Sequence, residues 1–164
     1  MPTIFSPCRT WRYTLERVWA PPEGYRGARE VAAFIGLNPS TADEVKNDPM
    51  VTRCINYARR WGFHGMFMLN IFALRSTDPR ALYRHPDPIG PETNRYLTEL
   101  VQRREVSLVV AAWGNHGALL SRGWNVINLV RNSGVNLYRL GELTKQGQPR
   151  HPLYLRRDLE PVQL

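Results

Sequence analysis

Four short segments of this 164-residue chain place polar side chains where they can do chemistry. The first is Gly36-Leu37-Asn38-Pro39-Ser40, which leaves the apolar run "VAAFI" and continues through Thr41 to Asp43 and Glu44. An amide, two hydroxyls and two carboxylates therefore crowd one strand end. The second is Asn70, embedded in "MFMLNIFAL". The third is Trp113-Gly114-Asn115-His116, and the fourth is His151-Pro152-Leu153-Tyr154-Leu155. In an open α/β sheet, ligands bind outside the carboxyl ends of the strands. Four segments meeting at that edge imply a pocket. Taken singly, most have a plainer reading. Asn38 before Pro39 can simply shape a turn, His116 can start a helix, and His151 can belong to a surface loop. Asn70 resists this, because an amide buried without a partner costs roughly 1–3 kcal/mol. It must either tie neighbouring backbone together or read a ligand.

The elements that position these residues follow from the period of the apolar side chains. "EVAAFIGLN", "GMFMLNIFAL" and "SLVVAAWG" are short continuous apolar runs, as in strands buried on both faces of a parallel sheet. "NLYRLG" is a fourth strand. "RTWRYTLERVWAP" alternates Trp11, Tyr13 and Leu15 with polar residues and predicts an N-terminal edge strand. "DPMVTRCINYARRWGF" opens with Asp48 as cap and Pro49 in the first turn. Val51, Cys54, Ile55, Ala58 and Trp61 then recur at helical spacing. "ETNRYLTELVQRRE" and "HGALLSRGWNVINLVR" read as further helices, and "STDPRALYRHPDPIGP" as a long surface loop. Strands and helices alternate after residue 30 without a break in composition. The expectation is one α/β domain over residues 1–164, a three-layer sandwich. Its central sheet is mostly parallel and four-stranded, with the N-terminal edge strand added.

The net charge is +8, and 20 of the 22 basic residues are Arg, leaving Lys46 and Lys145 as the lysines. The planar guanidinium fork suits phosphate, so the balance favours a nucleic-acid partner. An Arg-rich solvated surface accounts for the charge equally well. Cys8 and Cys54 make neither a disulfide framework nor a cluster-binding set. With the four histidines they show no metal-ligand spacing, so no metal or cofactor is expected. No apolar run approaches the roughly 20 residues that span a membrane, and "MPTIFSPCRTWRY" lacks a signal peptide's apolar core. A cytoplasmic protein without a membrane partner is the expectation.

Taken in order, the four segments resemble the uracil-DNA glycosylase superfamily. "GLNPS" looks like the GINPG motif of the mismatch-specific uracil/thymine glycosylases, in the place of GQDPYH in the uracil-specific enzymes. "HGMFMLNIFALR" is similar to GVLLLNTVLTVR, whose Asn reads uracil. "LVVAAWGNHG" resembles the strand ending in WGSHA, and "RHPLYL" stands where the family has HPSPLS. The chain also resembles a bacterial family of that superfamily marked by GLNPSTADE, AWGNHG and HPLYL. The resemblance spans roughly residues 31 to 155.

Hydrolysis of an N-glycosidic bond passes through an oxocarbenium-like sugar. It needs a positioned water on one side and a donor to the departing base on the other. The resemblance implies that Asn38 holds the water and His151 donates to the leaving base. It makes Asn70 the reader of the Watson–Crick edge of a flipped base, framed by Gly36, Leu37, Pro39 and Ser40. Asp43 or Glu44 is the candidate supporting carboxylate, and His116 a further support. Leu153, Tyr154 or Leu155 is the wedge that fills the vacated stack. Several departures stand out. Asn38 replaces the Asp of the uracil-specific branch, and an amide takes no proton. Ser40 replaces the Tyr that excludes thymine's methyl group, "HPLYL" lacks the Ser-Pro of the wedge loop, and the cluster cysteines of the thermophilic branch are absent. The implied activity is a monomeric, monofunctional DNA glycosylase of base excision repair. Its substrate is uracil or another altered base in single- or double-stranded DNA. Two alternatives stay open: an N-glycosidase or binding protein for free or modified nucleotides, and a non-catalytic nucleic-acid-binding protein of the same fold.

Overall fold

The apolar runs form strands and the 3.6-period segments form helices. A computed structural model describes residues 2–164. In chain order the elements are β1 (Ile4–Phe5), β2 (Arg12–Val18), β3 (Val31–Gly36), α1 (Pro49–Arg60), β4 (Gly65–Asn70), α2 (Ala81–Arg84), α3 (Thr93–Val101), β5 (Val106–Ala111), α4 (Arg122–Asn132), β6 (Tyr138–Leu140) and β7 (Pro161–Gln163). Two 3₁₀ segments, Asn115–Ser121 and Pro152–Tyr154, follow β5 and precede β7.

The strands make one mixed sheet of seven in the order β1-β2-β4-β3-β5-β6-β7. Its centre, β4-β3-β5-β6, is parallel. β1, β2 and β7 are antiparallel additions. This corrects the expected count of four plus one. Two residues in β1 and three in β7 are too few for alternation to register as a strand. It also moves β2 from the edge, since β1 hydrogen-bonds to its outer side. The expected loop after β4 carries the short helix α2.

Side-chain alternation divides the core in two. Ala33, Ile35, Phe67 and Leu69 face α3 and α4, where Leu97, Leu100, Val126 and Val130 are buried. Ala32, Phe34, Met66 and Met68 face α1, whose Val51, Cys54, Tyr57 and Ala58 are buried. The sheet is therefore covered on both faces, giving three layers. At the carboxyl edge Gly36 lies opposite Asn70 and Ile35 opposite Ala111, so the strand ends are level. The β3–α1 connection starts α1 at that same edge, where Asp48 Oδ1 accepts from Val51 N–H at 2.8 Å.

The segment carrying His151 leaves β6 and is strapped to α1 on its way to β7. Arg53 Nη1 donates to the Leu155 carbonyl at 2.9 Å and Trp61 Nε1 to the Leu159 carbonyl at 3.1 Å. Tyr57 Oη donates to the Arg156 carbonyl between them. No described helix is long and apolar enough to cross a membrane.

Candidate functional site

The level strand ends open onto a cavity of about 740 Å³. Gly36, Leu37, Asn38 and Ser40 line it from the end of β3, Asn70 from β4, and Trp113, Gly114, Asn115 and His116 from beyond β5. His151, Leu153, Tyr154 and Leu155 close the remaining side. The fold thus brings all four segments together.

Asn38 is fixed by its amide nitrogen, which donates to the carbonyls of Pro39, Leu74 and Ser76 at 3.1, 3.2 and 3.0 Å. Three acceptors settle which end of the amide is nitrogen and leave Oδ1 as an acceptor for the cavity. Pro39 is buried and does not line the cavity; it shapes the turn that presents Asn38. Asn70 is only 5% exposed. Among the described residues nothing hydrogen-bonds its side chain, which lines the cavity. Gly36 leaves the adjoining space empty, for a Cβ there would lie 3.4 Å from Asn70 Oδ1.

His151 Nδ1 accepts from Leu153 N–H at 3.3 Å, which puts the ring proton on Nε2. Burial holds its pKa below the ordinary 6.5, against the opposing pull of the Asp48 carboxylate. The ring is therefore neutral at pH 7 and carries one donor. Gly114 lies beside it. With φ at +73° it adopts a conformation suited to glycine. Its N–H donates to the Pro149 carbonyl at 2.8 Å. Trp113 Nε1 donates to Gln148 Oε1 at 2.9 Å, tying β5 to the same segment. His116 stands at the exposed rim, its Nδ1 3.0 Å from the Tyr83 hydroxyl. Tyr154 is 86% exposed, whereas Leu155 packs into the α1 side of the core. Of the three wedge candidates, Tyr154 is the one that projects.

The acids fall differently from expectation. Asp43 does not line the cavity; its Oδ1 accepts from Val45 and Lys46 N–H at 2.8 and 2.7 Å. Those bonds, led by the one from Lys46, lower its pKa. Glu44 makes a bidentate pair with Arg9 at the surface. The carboxylate in the cavity wall is Asp48, 6% exposed. One of its oxygens caps α1. Beside it lies Arg12, 2% exposed, whose Nη1 donates to the Ala42 carbonyl at 2.8 Å. Burial lowers its pKa to about 10, partly offset by Asp48, so it stays a cation at neutral pH.

Sequence reasoning missed both as site residues. Asp48 was fully explained as a cap, although a cap on the first helix after β3 sits at the ligand edge by topology. Arg12 carries no such signal, since only the antiparallel pairing of β2 with β4 brings its start to that edge. Among the described residues no group of three metal-ligating side chains forms.

No curated protein and no solved structure matches the chain. A family model, described as "Protein of unknown function (DUF1643)", matches residues 12–153. That span runs from Arg12 to Leu153 and takes in every residue placed in the cavity wall except Tyr154 and Leu155; the chain belongs to the DUF1643 family.

Proposed function

We propose that the protein is a DNA glycosylase that draws an altered base, such as uracil, out of the stack and hydrolyses its N-glycosidic bond. The observation that carries this reading is the Asn70 amide, nearly fully buried, without a partner, at the wall of a cavity. An amide offers one acceptor and two donors, which matches the paired donor and acceptor on a pyrimidine's Watson–Crick edge. The cavity volume lies within the roughly 300–1,000 Å³ of small-molecule sites. The parallel order β4-β3-β5-β6 and the resemblance of the four segments support a uracil-DNA glycosylase-like core.

Each role follows from a side chain's free atoms. Asn38 Oδ1 orients the attacking water. His151 Nε2–H donates to the base oxygen on which negative charge grows. Asp48 supplies the carboxylate that the oxocarbenium-like sugar calls for, at the cavity wall that Arg12 also lines. Tyr154, the exposed residue of the His151 segment, fills the space the base vacates.

The test uses end-labelled oligonucleotides carrying uracil, hypoxanthine, xanthine or mismatched thymine, single- and double-stranded, with alkali to reveal abasic sites. Wild type should cleave at least one, and His151→Ala and Asn70→Ala should each lose about 100-fold or more. No cleavage by stoichiometric protein on any substrate would overturn the reading. Base release from a free deoxynucleotide alone would move the activity to nucleotides.

A further inference from the structure

A second, shallower basin of about 450 Å³ opens beside the cavity and shares Ser40, Ser76 and Thr77 with it. Arg9, Arg75 and two further threonines complete its lining. Every lining residue is thus an arginine or carries a hydroxyl. That composition offers donors and positive charge, with no acid in the lining.

The two arginines are not equivalent. Glu44 holds Arg9 in its bidentate pair at 2.8 and 3.1 Å. Arg75 has no carboxylate partner among the described residues. Its Nη1 donates to the Arg9 carbonyl at 3.2 Å and its guanidinium lies over the Phe5 ring at 4.9 Å. Its Nε–H is shielded from solvent and meets no acceptor. The group is therefore held in place with its charge uncompensated. Ser76 Oγ is engaged with Asp78. The hydroxyls of Ser40, Thr41 and Thr77 have no hydrogen bond among the described residues, so they remain available to an incoming anion.

We propose that this basin holds a phosphate group, the one adjoining the sugar whose base enters the main cavity. The placement beside a base rests on the proposed function; the anion site does not. The shared wall of Ser40, Ser76 and Thr77 sets base and phosphate in adjoining compartments. A fixed guanidinium with neighbouring hydroxyls is the chemistry that recognises phosphate oxygens. Either a backbone diester or the monoester of a free nucleotide presents it.

The experiment is a ¹H–¹⁵N titration of the full chain with inorganic phosphate. Amide shifts should be confined to residues 9–10, 40–41 and 75–77, and Arg75→Gln should weaken binding about tenfold. The double variant Thr41→Val/Thr77→Val, which leaves Arg75 and its Phe5 contact alone, should weaken it as well. Shifts elsewhere or none, or variants that bind like wild type, would overturn the proposal. Oligonucleotides with one neutral methylphosphonate linkage, set against a deoxynucleoside monophosphate, then identify the source. Loss of affinity confined to linkages flanking the altered base assigns a diester; tight monophosphate binding alone assigns a monoester. Phosphate binding without base excision would keep the basin and sink the glycosylase reading; excision without phosphate binding would do the reverse.

Discussion

Asp48 has two carboxylate oxygens facing two tasks. One holds Val51 N–H at the start of α1, and the side chain as a whole supplies negative charge to the cavity. These tasks separate by substitution. Asn caps a helix about as well as Asp, whereas Ala costs about 1 kcal/mol. Asp48→Asn should therefore lose less stability in urea than Asp48→Ala, because the cap is kept, and lose about 100-fold in excision rate. Asp48→Ala should lose both. Equal activity of wild type and Asp48→Asn would remove the carboxylate from the mechanism. His151 gives a second prediction at this scale. Its folded-state pKa lies below the ordinary 6.5 because the ring is buried. The stability gained by keeping it neutral is fully present above pH 6.5 and is lost as the pH falls through the folded value. Protonation also ends its role as acceptor for Leu153 N–H. Denaturant midpoints followed from pH 7.5 to 5 should fall in wild type and fall less in His151→Asn, which has no titratable ring.

The elements differ in how plainly the chain announces them. β3, β4 and β5 were legible because a strand buried on both faces must be apolar throughout. α1 was legible because Asp48 and Pro49 mark its start and its buried face repeats every three to four residues. β1 and β7 were not, being set by pairing with neighbours far away in sequence. The same limit hid Arg12 and made Asp43 and Glu44 look nearer the site than they are: adjacency along the chain says nothing of which way a loop turns. Asn70 was the clearest signal, since a lone amide inside an apolar strand has few structural excuses. The strap between α1 and the His151 segment was also invisible, because its acceptors are backbone carbonyls that any sequence supplies. It makes its own prediction. Arg53→Met keeps the aliphatic stem and removes the bond to the Leu155 carbonyl, which should cost about 1 kcal/mol. Amide exchange at residues 151–155 should quicken while β3 and β4 exchange as before. Unchanged exchange there would mean that the strap holds nothing.

At the scale of the molecule, a net charge of +8 acts beyond any single contact. A field of that size draws a polyanion towards the surface and fades as salt is added. Two exposed arginines that follow the cavity-lining Pro79 and Leu155 are already paired, Arg80 with Asp78 and Arg156 with Asp158. Such exposed pairs are weak and are readily exchanged for a phosphate. The sheet order has one more consequence. Asn38 and Asn70 stand at the carboxyl ends of β3 and β4, neighbouring central strands with partners on both sides and helices on both faces. His151 hangs between β6 and β7, each three residues long, and is held by side chains and isolated backbone bonds rather than by a ladder. Opening of a protein spreads from its least protected parts inward. As conditions turn harsher, the half of the cavity proposed to identify a base stays assembled after the half proposed to expel it has come loose, and binding outlives reaction.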